Sequence, residues 1–182
     1  MLKLLAILQA LFAPPVPSPP AESLAAATLL WADHQPDETT KQLAIERAVA
    51  EATTQALYTI GVRPGSSLSV TKTYLAAYDR LKPLIARRVP PDRSQLDAAV
   101  AACVMEGVAR AMSPAEIAEI RATLSSPAGR KFWDAAGVTE RSLAGCYGAT
   151  LNLKPTDADY LTAGLRPPKP PKPQEWDPTI TY

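Results

Sequence analysis

Apolar residues recur through the middle of the chain at three- and four-residue steps, the spacing that lines one face of an α-helix. From Pro36 to Ile60 the stripe is Leu43, Ala44, Ala48, Val49, Ala52, Ala56, Leu57 and Ile60, with Asp37 and Glu38 at its head and Gly61 as its stop. Arg63 to Ser67 reads as a turn, and Ser69 to Arg88 as a second helix facing inward through Tyr74, Leu75, Tyr78, Leu81 and Ile85. Pro83 is expected to bend or break it, because proline lacks a backbone donor and clashes with the preceding turn. Pro90-Pro91-Asp92 separates a third helix, Ser94 to Met112, with Leu96, Val100, Cys103, Val104, Gly107 and Val108 as its buried face. A shorter helix from Ser23 to Ala32 precedes these and is expected to cover the bundle.

The strongest local signal follows. Ser113-Pro114-Ala115-Glu116 combines a capping serine, a proline at the first helical position and a glutamate three residues after the cap. The helix it starts carries Ile117, Ile120 and Leu124 on one side and Glu116, Glu119 and Arg121 on the other. Ser126-Pro127 begins another short helix with Phe132 and Trp133, which Gly137 closes. Thr139 to Asn152 forms the next, with Leu143, Cys146, Tyr147 and Leu151 inward, and Pro155 to Asp159 opens a last one that ends at Gly164. Strand alternation and hairpin signals are weak, so the fold class is all-α, a small helical bundle with short connections over residues 24–164.

The two ends differ from this core. Met1-Leu2-Lys3 and the apolar run Leu4 to Ala13 have the layout of a secretory signal, too short to span a bilayer, and prolines 14, 15, 17, 19 and 20 stop any helix after it. Residues 1–23 therefore read as a signal peptide and proline-rich leader, with a cut expected after Ser23, Ala25 or Ala27. Beyond Gly164, Arg166-Pro167-Pro168-Lys169-Pro170-Pro171-Lys172-Pro173 favours extended polyproline II, so residues 165–182 form a proline-rich tail. Trp176 near its end is a candidate contact, either with the bundle or with a partner.

Composition narrows the function. The 182 residues are 47% hydrophobic and 20% charged with a formal net charge of +1, which offers no general attraction for nucleic acid. One histidine and two cysteines are too few for most metal sites or for a His-dependent catalytic centre, and no nucleotide or phosphate-loop fingerprint occurs, so no cofactor and no metal are expected. Cys103 and Cys146 fit one disulfide in an oxidising compartment, against the alternative of two separate buried thiols. The leader favours the bridge and a periplasmic or secreted location, with no transmembrane segment in the mature chain.

The span Met112 to Asp134 resembles a bacterial exported family known as domain of unknown function 2059. There a helix opening with Ser-x-x-Glu runs into a turn similar to Ser126-Pro127-Ala128-Gly129-Arg130-Lys131; Thr123 and Leu124 stand where members usually carry aromatic residues. The resemblance implies a small, mostly helical exported domain, with Ser126, Pro127, Gly129 and Lys131 as motif residues. In physical terms Pro127 starts a helix, Gly129 permits close approach of a neighbour, and Phe132 and Trp133 are expected in the core. Arg130 and Lys131 stay hydrated, or face an anion at the helix start.

The remaining chemistry is thin. Ala144-Gly145-Cys146-Tyr147-Gly148 looks superficially like a nucleophile elbow but lacks the strand and the histidine base, and the single histidine, His34, suits a helix end. Glu46, Glu51, Glu116, Glu119, Asp157 and Asp159 read as solvated carboxylates. The leading expectation is a non-enzymatic exported domain that binds or supports an envelope protein or polymer. The alternatives are an envelope hydrolase using carboxylates or Cys146, and an adaptor recruiting a partner through the tail.

Overall fold

A computed structural model describes residues 17–65 and 67–169. Within them the chain forms eight α-helices and no strand: α1 Ala21–Asp33, α2 Glu38–Thr59, α3 Leu68–Ala86, α4 Ser94–Ala111, α5 Pro114–Ser125, α6 Pro127–Ala135, α7 Val138–Thr150 and α8 Asp157–Thr162. The all-α architecture and its short connections follow the sequence pattern. Residues 1–16 of the expected signal segment and the tail beyond Lys169, Trp176 included, lie outside the described residues. No described helix is long and apolar enough to cross a membrane.

The chain divides into two compact units, one of residues up to Pro36 with Ala101–Gly137, the other of Asp37–Val100 with residues from Val138 on. The division passes through α4 between Val100 and Ala101.

In the first unit, α1 packs on α5, and α5 on α6. Its centre is small: Ala27, Ala109 and Ile117 are buried, with Leu24, Leu30, Met105, Val108 and Met112 packed around them. Alanine at two of the three central positions lets the helices approach closely at the cost of little buried area, so the surrounding half-buried residues supply much of the apolar burial. Ser113 and Glu116 form the expected capping box, the serine hydroxyl accepting from the Glu116 N–H and the carboxylate accepting from the Ser113 N–H at 2.8 Å. The cuts expected after Ser23, Ala25 or Ala27 all fall inside α1, where Ser23 and Ala27 are buried.

In the second unit, α2 is the central helix, packed on α7 along one side and α3 along another, with α8 against α3. Leu57, Leu81, Ile85, Leu143 and Tyr147 are almost fully buried. Thr53, also buried, satisfies its hydroxyl on the Val49 carbonyl at 2.7 Å. Asp37 and Thr156 cap α2 and α8, and Gly61 and Gly164 follow α2 and α8 with the positive φ that glycine accepts without strain.

Several inward assignments need correction. Pro83 neither ends nor breaks α3, which continues to Ala86; it lies in the last turn on the exposed side, where water can serve the carbonyl it leaves unpaired. Gly107 is exposed, and Leu43 and Leu75 are about half exposed, because each lies at the margin of its apolar stripe. Phe132 is the largest departure, exposed over 74% of its surface rather than packed in the core.

Candidate functional site

The motif residues gather at the junction of α5 and α6. The Ser126 hydroxyl accepts from the Gly129 N–H at 3.0 Å and donates to the Thr123 carbonyl at 2.8 Å, while Pro127 occupies the first helical position. Gly129 is required sterically: a Cβ there would fall 2.0 Å from the Thr123 carbonyl oxygen. The close approach expected of this glycine is thus to the last turn of α5. No residue of α6 is buried, and Phe132 lies in solvent.

Beside Phe132 runs a groove of about 440 Å³. Met112, Ile120 and Leu124 form its apolar floor, Phe132 and the half-buried Trp133 one wall, and Glu116 and Glu119 part of its rim. Arg130 and Lys131 are exposed on the same helix and make no ion pair among the described residues. The junction thus sets an exposed aromatic ring next to an apolar groove, with two hydrated cations on the same helix.

The other candidates are dispersed. Cys103 on α4 and Cys146 on α7 are both disulfide-bonded, and no cysteine among the described residues is free. A bonded sulfur offers no thiolate, so Cys146 in this state has no nucleophile to contribute. His34 caps the end of α1 through its backbone N–H, which donates to the Leu30 carbonyl at 3.1 Å. Its Nε2 is buried without a hydrogen-bond partner among the described residues.

The carboxylates do not converge on a reaction centre. Glu46 accepts from Gln42, Glu51 pairs with Arg47, and Glu140 with the same arginine at 3.4 Å. Asp159 accepts from the Thr156 N–H and hydroxyl and pairs with Arg88. The Thr156 N–H, with its hydroxyl and Arg88 adding to it, holds this carboxyl below the ordinary carboxylate range. Glu116 is lowered likewise by its capping bond to Ser113. No cluster of three or more histidine, cysteine or acidic residues able to hold a metal occurs among the described residues.

Sequence reasoning missed a polar network in the second unit. The Tyr147 hydroxyl donates to Asp97 at 2.7 Å; Lys41 pairs with Asp97 at 3.4 Å and Glu38 at 2.7 Å; Arg93 closes on Glu38 at 2.9 Å. Burial first, and then the bond to Asp97, raises the Tyr147 phenol above the ordinary tyrosine range. The only hint in the sequence was the Glu38–Lys41 spacing, since the other links join residues far apart in the chain.

No protein-family model matches the chain, and no curated protein or solved structure matches it.

Proposed function

We propose that the protein is a non-catalytic helical binding protein that works outside the cytosol, in the periplasm or beyond, and presents the α5–α6 face to an envelope protein or polymer. The observation that carries the binding role is the exposure of Phe132 beside the groove floored by Ile120 and Leu124. Covering that ring and groove removes apolar area from water, worth about 25 cal/mol per Å² before the costs of association. Arg130 and Lys131 add a cationic flank that favours an anionic contact. The signal-like residues 1–23, the disulfide state of Cys103 and Cys146, and the resemblance of residues 112–134 to an exported family support the location.

The test uses the full chain expressed from its own start in a bacterial host. The expected result is a protein recovered outside the cytosol, shortened at its N-terminus, whose cysteines are alkylated only after reduction. A photo-crosslinking amino acid at position 132 then gives a discrete adduct in the envelope fraction, while one at exposed Glu106 does not. A cytosolic chain of full mass with two reactive thiols overturns the location, and equal crosslinking from both positions overturns the surface.

A further inference from the structure

The second unit contains a cleft that plays no part in the binding role proposed for the α5–α6 face. It holds about 390 Å³ and is open on one side. One wall is a single stripe of α2, in which Ala52, Ala56 and Thr59 follow one another at helical spacing. The floor is Gly148 and Leu151 at the end of α7, and Leu153, Pro155 and Tyr160 close the far side. Tyr160 is fixed there by its hydroxyl, which donates to the Ala56 carbonyl at 3.2 Å.

Two features keep the space open. Gly148 lies inside α7, where glycine costs about 1 kcal/mol relative to alanine, and a Cβ at this position would meet nothing within 4 Å. Its missing side chain is part of the cleft. The wall opposite is kept low by two alanines, so small residues on both helices define one volume within the usual range for small-molecule sites. Gln55, Thr59 and Asn152 also line it, but most of its surface is apolar, which favours an occupant with an apolar body.

The charge at the mouth says what kind. Lys154 lines the cleft from the loop after α7, is exposed, and makes no ion pair among the described residues. Pro168 lines the same cleft, placing the exposed Arg166 and Lys169 two positions before and one after it. Of the acidic groups on α8, Asp159 is engaged by Arg88 and the Thr156 N–H, and Asp157 is exposed at the first helical position. A mainly apolar trough lined by Lys154, with Arg166 and Lys169 flanking Pro168 and only Asp157 as an exposed carboxylate on α8, has an excess of positive charge and complements one alkyl chain bearing an anionic head.

We propose that this cleft binds a single-chain amphiphile with an anionic headgroup, of the class of a fatty carboxylate, its chain over Gly148 and its head at Lys154. This does not depend on the α5–α6 surface or on export. The probe is dodecanoate, titrated calorimetrically into the full-length protein below its micellar range. Saturable one-to-one binding is expected, with dodecyltrimethylammonium bound at least about tenfold more weakly. The methyl resonances of Leu151 and Leu153 shift as the site fills.

Gly148→Leu fills the floor while improving helix propensity, and is expected to weaken dodecanoate at least about tenfold with the helical circular dichroism retained. Lys154→Glu changes an exposed side chain, leaves the fold intact, and is expected to abolish the preference for the anionic head. Absence of saturable binding overturns the proposal. So does equal affinity for the two headgroups, or dodecanoate binding unchanged in a folded Gly148→Leu protein. If Gly148→Leu does not fold, Lys154→Glu and the leucine resonances decide: a retained headgroup preference or unmoved Leu151 and Leu153 signals overturn it.

Discussion

Tyr147, with 1% of its surface exposed, donates its hydroxyl proton to Asp97 at 2.7 Å and so joins α7 to the first turn of α4. The contact is the hub of a chain of charges running through Lys41 and Glu38 to Arg93, and it satisfies a buried phenol that otherwise carries a desolvation cost. Tyr147→Phe keeps the ring's packing and removes only the donor. The expected loss is about 1–2 kcal/mol in urea unfolding, because Asp97 retains Lys41. Tyr147→Ala also leaves a cavity and is expected to cost about 3–5 kcal/mol. An unchanged stability of Tyr147→Phe would show that the hydroxyl adds nothing, and equal losses in the two variants would show that the ring's packing adds nothing.

Such contacts explain what the sequence could and could not disclose. The helices were legible because their signals are local: Ser113 and Glu116 meet three residues apart, and Ile117 and Leu124 repeat on one face. Phe132 was not, since periodicity identifies the apolar side of a helix but not whether another element covers it. No residue of α6 is buried, so its apolar side is left uncovered among the described residues. The Tyr147–Asp97 bond and the cleft over Gly148 depend on segments brought together only by the tertiary fold, and no spacing rule reaches across 50 residues.

Stability should fall on the acid side through Asp159. Its folded-state carboxyl is held below the ordinary range, first by the Thr156 N–H and then by the threonine hydroxyl and Arg88. A lowered pKa contributes stability that is present above the unfolded value of about 3.9 and is lost as pH falls through the folded value. Asp159→Asn is therefore expected to be less stable than the parent at pH 7 and to show a flatter decline below about pH 4. Chemical denaturation at a series of pH values measures both; parallel curves for the two proteins would remove Asp159 from the acid response.

On the alkaline side the sign reverses. Tyr147 is raised, chiefly by burial, so its contribution is complete below the unfolded tyrosine value of about 10 and declines as pH rises through the higher folded value. Tyrosinate absorbance should show Tyr147 ionising above the ordinary tyrosine range, and Tyr147→Phe should reduce that late component. A titration unchanged by the substitution would contradict the buried, hydrogen-bonded phenol.

Two glycines inside or at the start of helices should respond with opposite sign. Gly145 sits in α7, where an added Cβ would meet nothing within 4 Å, so Gly145→Ala gains helix propensity, about 0.5–1 kcal/mol. Gly129→Ala gains the same intrinsic term but drives its methyl against the Thr123 carbonyl that also accepts from Ser126. The clash requires the α5–α6 turn to open, and the net effect is expected to be a loss of about 1–3 kcal/mol. Thermal unfolding of the two variants side by side decides it, and stabilisation by both would mean that the turn relaxes freely.

The position of the proposed N-terminal cut is constrained by packing as well as by small-residue spacing. Ala27 is 2% exposed and packs with Ala109 and Ile117, with Leu24 and Leu30 at the edge of the same cluster. The first helical hydrogen bond runs from the Leu24 N–H to the Pro20 carbonyl at 2.9 Å, so a cut after Ser23 removes that carbonyl and frays the first turn. A cut after Ala25 also deletes Leu24, and one after Ala27 deletes a central residue of a core that has little area to spare. Processing that leaves the first unit intact therefore falls before Ala21. With the chain exported and cut as proposed, intact mass and N-terminal sequencing are expected to show a start at or before Pro20. If the natural terminus proves to be Leu24, Ala26 or Thr28, the helix Ala21–Asp33 is not whole in the mature protein, and a chain truncated to that terminus should be as stable as one that begins before Ala21.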